Sequence, residues 1–180
     1  MRATFLLLTI PMLAACDSGT VPSPAEQSSP ASNQPQVASN EVLLSGEGLT
    51  AGAEAFYFAA GQREVEAALA RVLGKASDVG TNEECGAGPV EYAAFPGGLT
   101  VNFQNGSLAG WFWNSEAENI AVQDDITIGM PRTTIESEEG FAMVEASTLG
   151  QEFSLGDRLG GFVEGDEVSA LYAGTQCFFR

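Results

Sequence analysis

Histidine is absent from the 180-residue sequence, and this absence excludes several classes of functional site. Imidazole is the commonest catalytic base and metal ligand, so a Ser-His-Asp triad, a Cys-His pair and a histidine-bound zinc ion are all excluded. Acid–base chemistry would need paired carboxylates, and the adjacent pairs are Glu83-Glu84, Asp124-Asp125 and Glu138-Glu139. Each pair lies in a polar, turn-like segment, and neighbours on a strand point to opposite faces. We therefore predict no catalytic site, no metal and no cofactor.

Basic residues are scarce: 7 Lys and Arg stand against 24 Asp and Glu, and the net charge is −17. A surface of this charge repels the phosphates of nucleic acids, so we exclude nucleic acid as a partner. It favours basic partners or divalent cations, although acidity chiefly serves solubility. Hydrophobic residues make up 44% of the chain and charged residues 17%, which favours one domain with a real core over wholesale disorder.

No apolar run reaches the roughly 20 residues that a membrane-spanning helix needs. Residues 3–13 form a shorter apolar stretch behind Arg2, which is typical of a signal peptide. Residues 13–16, Leu-Ala-Ala-Cys, resemble the lipobox of bacterial lipoproteins. The resemblance implies that residues 1–15 are removed and that Cys16 carries a diacylglyceryl group and further acylation such as palmitate. We expect a protein anchored in the lipid bilayer of the cell envelope and facing the periplasm.

The residues after Cys16 bear on location. Asp17 resembles the signal that retains lipoproteins in the inner membrane of enteric bacteria, which favours the inner membrane and leaves the outer one open. Residues 16–40 form a disordered tether rich in Pro, Ser, Asn, Gln and Ala, with too few large apolar side chains to fold. The folded domain is predicted over residues 41–180.

Two cysteines remain once Cys16 is assigned to the lipid, namely Cys85 and Cys177. In an oxidising compartment such a pair predicts a disulfide. It would close a loop of about 90 residues, for which the chain-entropy model gives several kcal/mol of stabilisation.

Apolar spacing predicts two helices. Residues 61–73 place apolar side chains on one helical face, and Gly74 suits the C-terminal cap. Residues 129–132 resemble a second helix start, with Pro131 in the first turn, and this short helix ends near Gly140.

A series of strand patterns follows each predicted helix. The second series lies 60 residues after the first, as Leu159 lies 60 residues after Leu99. Asn105-Gly106 predicts the turn of a first hairpin, and Gly165-Asp166 predicts that of a second. The predicted strands are residues 91–95, 99–104, 108–113, 151–155, 159–164, 167–172 and a last strand at 175–179 that carries Cys177. Residues 80–89, with Cys85, are interpreted as an inserted loop. We predict an α+β fold of two tandem helix-then-antiparallel-strand repeats, with the helices packed on one face of a meandering sheet.

This architecture resembles the β-lactamase-inhibitor-protein-like fold, built from tandem helix–helix–sheet repeats. It is also similar to the small SmpA/OmlA lipoprotein of the β-barrel assembly machinery, which is one such repeat. The Gly-Met-Pro-Arg turn at residues 129–132 is the nearest shared motif, and the short second helix departs from the two-helix pattern. The resemblance implies protein–protein binding and transfers no functional residue.

The hairpin register predicts which side chains share a face. Across a two-residue turn without a bulge, Leu99 lies opposite Phe112 and Val101 opposite Gly110, all facing the helices. In the second hairpin Leu159 lies opposite Tyr172 in the same way.

Four large apolar side chains then point to the open face of the sheet: Trp111, Trp113, Phe162 and Leu171. Exposed apolar patches mark interfaces, and Trp is enriched at binding hot spots, so this set is our predicted partner-binding face. Two alternatives stay open. A loop or the tether covers these side chains, or a slip of one position turns both tryptophans into the core.

The sequence thus predicts a membrane-anchored envelope lipoprotein that binds a protein or peptide, or assists assembly, without catalysis. One alternative is an envelope glycan-active enzyme that uses paired carboxylates. Another is a sensor of divalent cations or small molecules.

Overall fold

The computed structural model describes residues 40–178, and this part of the chain is mostly β with two short helices. The signal peptide, Cys16 and the tether up to residue 39 lie outside the described residues. The elements are β1 Val42–Ser45, β2 Gly48–Ala51, β3 Glu54–Tyr57, α1 Gln62–Leu73, β4 Asp78–Asn82, β5 Val90–Phe95, β6 Leu99–Gln104, β7 Ser107–Trp113, β8 Ile120–Val122, α2 Arg132–Ile135, β9 Phe141–Met143, β10 Gln151–Leu155, β11 Leu159–Glu164 and β12 Glu167–Gly174.

Eight strands form one antiparallel sheet, the large sheet, in the order β4-β5-β6-β7-β12-β11-β10-β9. Each half of the chain contributes a four-stranded meander, and the two meanders meet where β7 pairs with β12. The predicted hairpins are present with their turns where the sequence placed them.

The two halves attach their helices in the same way. The backbone N–H of Gln62, at the start of α1, donates to the carbonyl of Gly106 in the first hairpin turn at 2.9 Å. The N–H of Arg132, at the start of α2, donates to Asp166 in the second turn at 2.7 Å. Each helix therefore begins at the tip of the hairpin that ends its own half.

Helix α1 matches the prediction, with Val65, Ala68 and Leu69 buried and Gly74 at a positive φ of 90° just beyond its end. Helix α2 is shorter than predicted, because it ends at Ile135 rather than near Gly140. Acidic residues follow Ile135, and negative charge at the C-terminal end of a helix opposes the helix dipole. The fold is thus α+β with little helix, and α2 is too short to cover a face of the large sheet.

A second sheet, which the sequence analysis does not predict, packs on the large sheet where a layer of helices was expected. This small sheet has the order β3-β2-β1-β8, and β8 runs parallel to β1. Its buried side chains Val42, Leu44 and Leu49 join those of the large sheet in a single core. The indole N–H of Trp111 bonds the carbonyl of Ser45 at 2.9 Å and so ties the two sheets together.

Both hairpins contain a bulge at the same relative position. In the first, Phe103 pairs with Leu108 but Asn102 pairs with Gly110, so Ala109 has no opposite residue. In the second, Ser169 is the extra residue, 60 positions later. The predicted pairings of Leu99 with Phe112 and of Val101 with Gly110 are therefore wrong, as is that of Leu159 with Tyr172.

Each bulge lies beside a backbone contact with a segment far along the chain. Leu108 donates its N–H to Ala60 at 2.7 Å, and its carbonyl accepts from Ala59 at 2.8 Å. Val168 makes the equivalent pair of bonds with Met130 and Gly129. The segment before each helix thus holds both backbone groups of the residue that precedes the bulge, and the strand resumes its pairing one residue later.

Two further boundaries differ from the prediction. Strand β4 takes in the first residues of the predicted loop 80–89, so the loop that carries Cys85 is shorter. Residues 175–178 form no strand, because β12 ends at Gly174. They cross the outer face of the large sheet, which is the face turned away from α1 and the small sheet, and we call them the C-terminal segment.

Candidate functional site

The predicted partner-binding face is wrong for three of its four residues. Trp111 is 0% exposed, Trp113 is 1% exposed and Leu171 is 0% exposed, because the bulges turn all three inward. The indole N–H of Trp113 also bonds the carbonyl of Gly97 at 2.9 Å. These side chains are core residues, as the alternative of a slip of one position anticipated for the tryptophans.

Phe162 does point outward, but the C-terminal segment covers it. The Phe178 ring lies 5.6 Å from that of Phe162, 5.2 Å from Tyr172 and 6.2 Å from Phe112, between ring centroids, and meets all three edge to face. We call these four rings the outer aromatic cluster. The aromatic residues of the outer face are therefore half-buried beneath the chain's own C-terminal residues.

Side-chain amides hold the C-terminal segment on the strands below it. The Gln176 amide donates to the carbonyls of Trp111 and Ala173, at 2.9 Å each. The buried Asn102 donates to the carbonyl of Thr175 at 3.0 Å. These bonds fix the segment across the central strands of the large sheet.

The structure brings the two predicted disulfide partners together as thiols. Cys85 is buried, and its Sγ donates to the carbonyl of Gln176 at 3.9 Å. The pKa of Cys177 is raised to about 11, chiefly by burial and secondly by the hydrogen bond with the Cys85 thiol. The disulfide stays a prediction, and the proximity that it requires is present.

Two adjoining clefts form the candidate site, and we call them together the turn-end groove. They have volumes of about 700 and about 740 Å³. Both open between the β1–β2 turn and the β10–β11 turn, and they share six residues: Gly46, Glu47, Gly156, Asp157, Arg158 and Leu159. The ion pair between Arg158 and Glu47 spans the two turns at the boundary between the clefts.

The first cleft has aromatic walls. Tyr57 ends the edge strand β3 and is 64% exposed, and Phe58 follows it. Tyr172 forms another part of the wall, and its ring lies so close over Gly160 that a Cβ there would be 2.3 Å from it. This half of the groove therefore offers aromatic rings next to the backbone of Gly160.

A buried carboxylate orients Tyr172. The tyrosine hydroxyl donates to Oε1 of Glu152 at 2.5 Å, and the hydroxyl of Ser147 donates to Oε2 at 2.6 Å. Glu152 is only 1% exposed, so its oxygens depend on hydrogen bonds within the protein rather than on water. The wall at Tyr172 is consequently rigid compared with the exposed ring of Tyr57.

The second cleft has acidic walls. Beyond Glu47 and Asp157, it is lined by Asp124, Glu138 and Glu139. Among the described residues that line it, Arg158 is the one cation, and it is already paired. Within residues 40–178, no three Asp, Glu, Cys or His side chains are grouped so that they could hold a metal ion.

Sequence reasoning missed this groove because its walls come from turns far apart in the chain. A local signal was available in the run Phe56-Tyr57-Phe58. Three consecutive aromatic residues break the alternation of a strand, so one of them has to point away from the core. Phe56 and Phe58 pack against the core, and Tyr57 is the residue turned to solvent.

No protein-family model and no curated protein matches the chain. Among solved structures it is similar to the uncharacterized protein YfeY from Escherichia coli, with a TM-score of 0.51 and 13% sequence identity over 73% of this chain and 99% of that one. At this identity the similarity concerns the fold alone. In the part of the chain that the structure covers, no helix is long and apolar enough to cross a membrane.

Proposed function

We propose that this chain is a membrane-anchored lipoprotein of the bacterial envelope, acylated at Cys16, whose domain binds a protein or peptide partner without catalysis. The observation that supports the proposal is the turn-end groove, which joins an aromatic half to an acidic half. We further propose that the two halves of the large sheet are tandem copies of one unit, as in the β-lactamase-inhibitor-protein-like fold. Their equivalent bulges and helix attachments support this interpretation.

The size and shape of the groove favour an extended peptide segment. Each cleft falls within the usual range of ligand pockets, about 300–1,000 Å³, and the two adjoin at their shared turns. Tyrosine is enriched among the residues that dominate binding energy. An exposed Tyr57 beside the fixed ring of Tyr172 therefore suits an apolar or aromatic side chain of the partner.

The charge of the groove favours a basic partner. The acidic half places Asp124, Glu138 and Glu139 around one opening, and the whole chain carries a net charge of −17. Complementary charge accelerates encounter and selects among partners. We therefore expect a segment with Lys or Arg next to an apolar residue, on a protein that is exposed to the periplasm.

Site-specific photocrosslinking in the native envelope tests this proposal. A photoreactive phenylalanine analogue replaces Tyr57 in one variant and Val79 in the matched control. Both residues are 64% exposed, but Val79 lies on the edge strand β4 and does not line the groove. We expect a discrete adduct at position 57 that high salt weakens, and none at position 79. Absence of an adduct at 57, or equal adducts at both positions, would refute the assignment of the groove.

A further inference from the structure

The C-terminal segment is held on the sheet without regular secondary structure. Its attachments include side-chain hydrogen bonds, the backbone bond from Thr175 to Ala109 and the ring of Phe178. Segments outside the strand ladder open more readily than the strands beneath them. A covalent link at Cys177, one residue before Phe178, would hold the Phe178 ring on the outer aromatic cluster.

The loop between β4 and β5 presents Cys85 to that point. The loop is itself well fixed: the N–H of Gly88 donates to the carbonyl of Cys85 at 2.9 Å, and Gln104 on β6 donates to the carbonyl of Ala87 at 2.9 Å. Cys85 is therefore a rigid anchor, whereas Cys177 belongs to the attached segment. The Cys85 thiol already contacts the backbone of Gln176 and the thiol of Cys177.

We infer that Cys85 and Cys177 are the two ends of a covalent strap, a disulfide that locks the C-terminal segment over the outer aromatic cluster. The bond forms by exchange with an oxidised dithiol protein. The thiolate of one cysteine attacks the disulfide of the oxidant and forms a mixed disulfide, and the thiolate of the other cysteine then displaces the sulfur of the oxidant. Both thiol protons pass to the released dithiol, and the oxidant takes up the two electrons.

The strap has a consequence for the turn-end groove. Phe178 packs against Tyr172, and Tyr172 lines the aromatic half of the groove. Locking the segment keeps Phe178 on the outer side of this ring, while Glu152 holds its hydroxyl. Reduction of the disulfide would release the segment, uncover Phe112 and Phe162 and loosen one wall of the groove.

Thiol trapping provides the first arm of the test. The full lipoprotein is extracted from its envelope in the presence of an alkylating agent, and peptides that contain Cys85 and Cys177 are mapped by mass spectrometry without reduction. We expect one disulfide-linked peptide pair, converted to two alkylated peptides only after reduction. Alkylation of both cysteines before any reduction would overturn the inference.

Amide hydrogen exchange provides the second arm, and it uses the unaltered chain in its oxidised and reduced states. We expect the amide of Thr175, which bonds Ala109 at 2.8 Å, to exchange about tenfold faster or more after reduction. Amides of α1, which packs into the core on the other face of the large sheet, serve as the control and should not change. Equal exchange at Thr175 in both states would show that the bond is not a strap. The inference rests on the proposed export to the oxidising envelope. Neither arm involves a partner, and the second uses the chain oxidised and reduced in solution, so failure of the strap is distinguishable from failure of the proposed binding.

Discussion

Replacing Gly110 with alanine tests whether the C-terminal segment is an integral part of the fold. A Cβ atom on Gly110 would lie 2.4 Å from the carbonyl oxygen of Thr175 and 2.8 Å from its nitrogen. Both are backbone atoms, which cannot turn aside as the end of a side chain can. The carbonyl oxygen of Ala173, at the end of β12, would also lie 2.8 Å away, so the segment and the strand end that leads into it would have to move away from β7.

The cost of this movement follows from the bonds that Thr175 makes. Its N–H donates to the carbonyl of Ala109 at 2.8 Å, and its carbonyl accepts from Asn102 at 3.0 Å. Two hydrogen bonds at about 1 kcal/mol each amount to roughly 2 kcal/mol. Removing a glycine from the unfolded chain returns about 0.4–1 kcal/mol. We expect Gly110→Ala to lower the free energy of unfolding by about 1–2 kcal/mol.

Urea unfolding followed by the fluorescence of the buried tryptophans measures this loss, at an unchanged slope. The matched control is Gly86→Ala, since a Cβ at Gly86 has no atom within 4 Å and the residue has no positive φ. The control should stay within about 0.5 kcal/mol of the wild type or be slightly more stable. If Gly110→Ala is as stable as the control, the segment is not packed against β7 and the reasoning fails.

Three further predictions concern the anchor, the thiols and the buried carboxylate. Cys16→Ser should move the protein from the membrane fraction to the soluble periplasm, as fractionation and palmitate labelling would show; retention in the membrane would contradict lipidation. In the reduced protein, the pKa of Cys177 is raised from 9.0 to about 11, because burial and the adjacent thiol favour the neutral form. Near pH 8 its alkylation by iodoacetamide should therefore be about 100-fold slower than that of an ordinary cysteine and should rise up to about pH 11, whereas a rate that levels off at pH 9 would contradict the burial. Tyr172→Phe removes one hydrogen bond from the buried Glu152 and should cost about 1–3 kcal/mol in urea unfolding. Tyr57→Phe, at an exposed ring, is the control and should change stability by less than about 0.5 kcal/mol.

The error in the predicted binding face shows where pattern reasoning about a sheet stops. The inward and outward sets of β7 follow from the alternation of side chains, and the turn at Asn105-Gly106 correctly pairs Phe103 with Leu108. One extra residue at Ala109 then exchanges the two faces, so both tryptophans become core residues. The sequence shows that Trp111 and Trp113 are large apolar residues on one face of β7. Nothing local to the hairpin indicates that a bulge turns this face toward the core.

The candidate groove was beyond prediction for a related reason. Its two turns, at Gly46-Glu47 and Gly156–Arg158, are more than a hundred positions apart in the sequence, and they meet because the small sheet lies against the large one. The small sheet in turn depends on the parallel pairing of β1 with β8, which no hairpin turn specifies. Only the exposed tyrosine within an aromatic run was visible in advance.

The sequence by itself determined the local parts of this protein: the helix over Gln62–Leu73, the hairpin turns and the 60-residue offset between the halves. These features depend on side-chain periodicity and turn chemistry, which act over a few residues. Only the tertiary structure decided the two bulges, the burial of Trp111 and Trp113, and the contact between Cys85 and the C-terminal segment. Each of these involves groups from distant segments, such as the Ala60 carbonyl that bonds the N–H of Leu108, and a local pattern does not specify such partners.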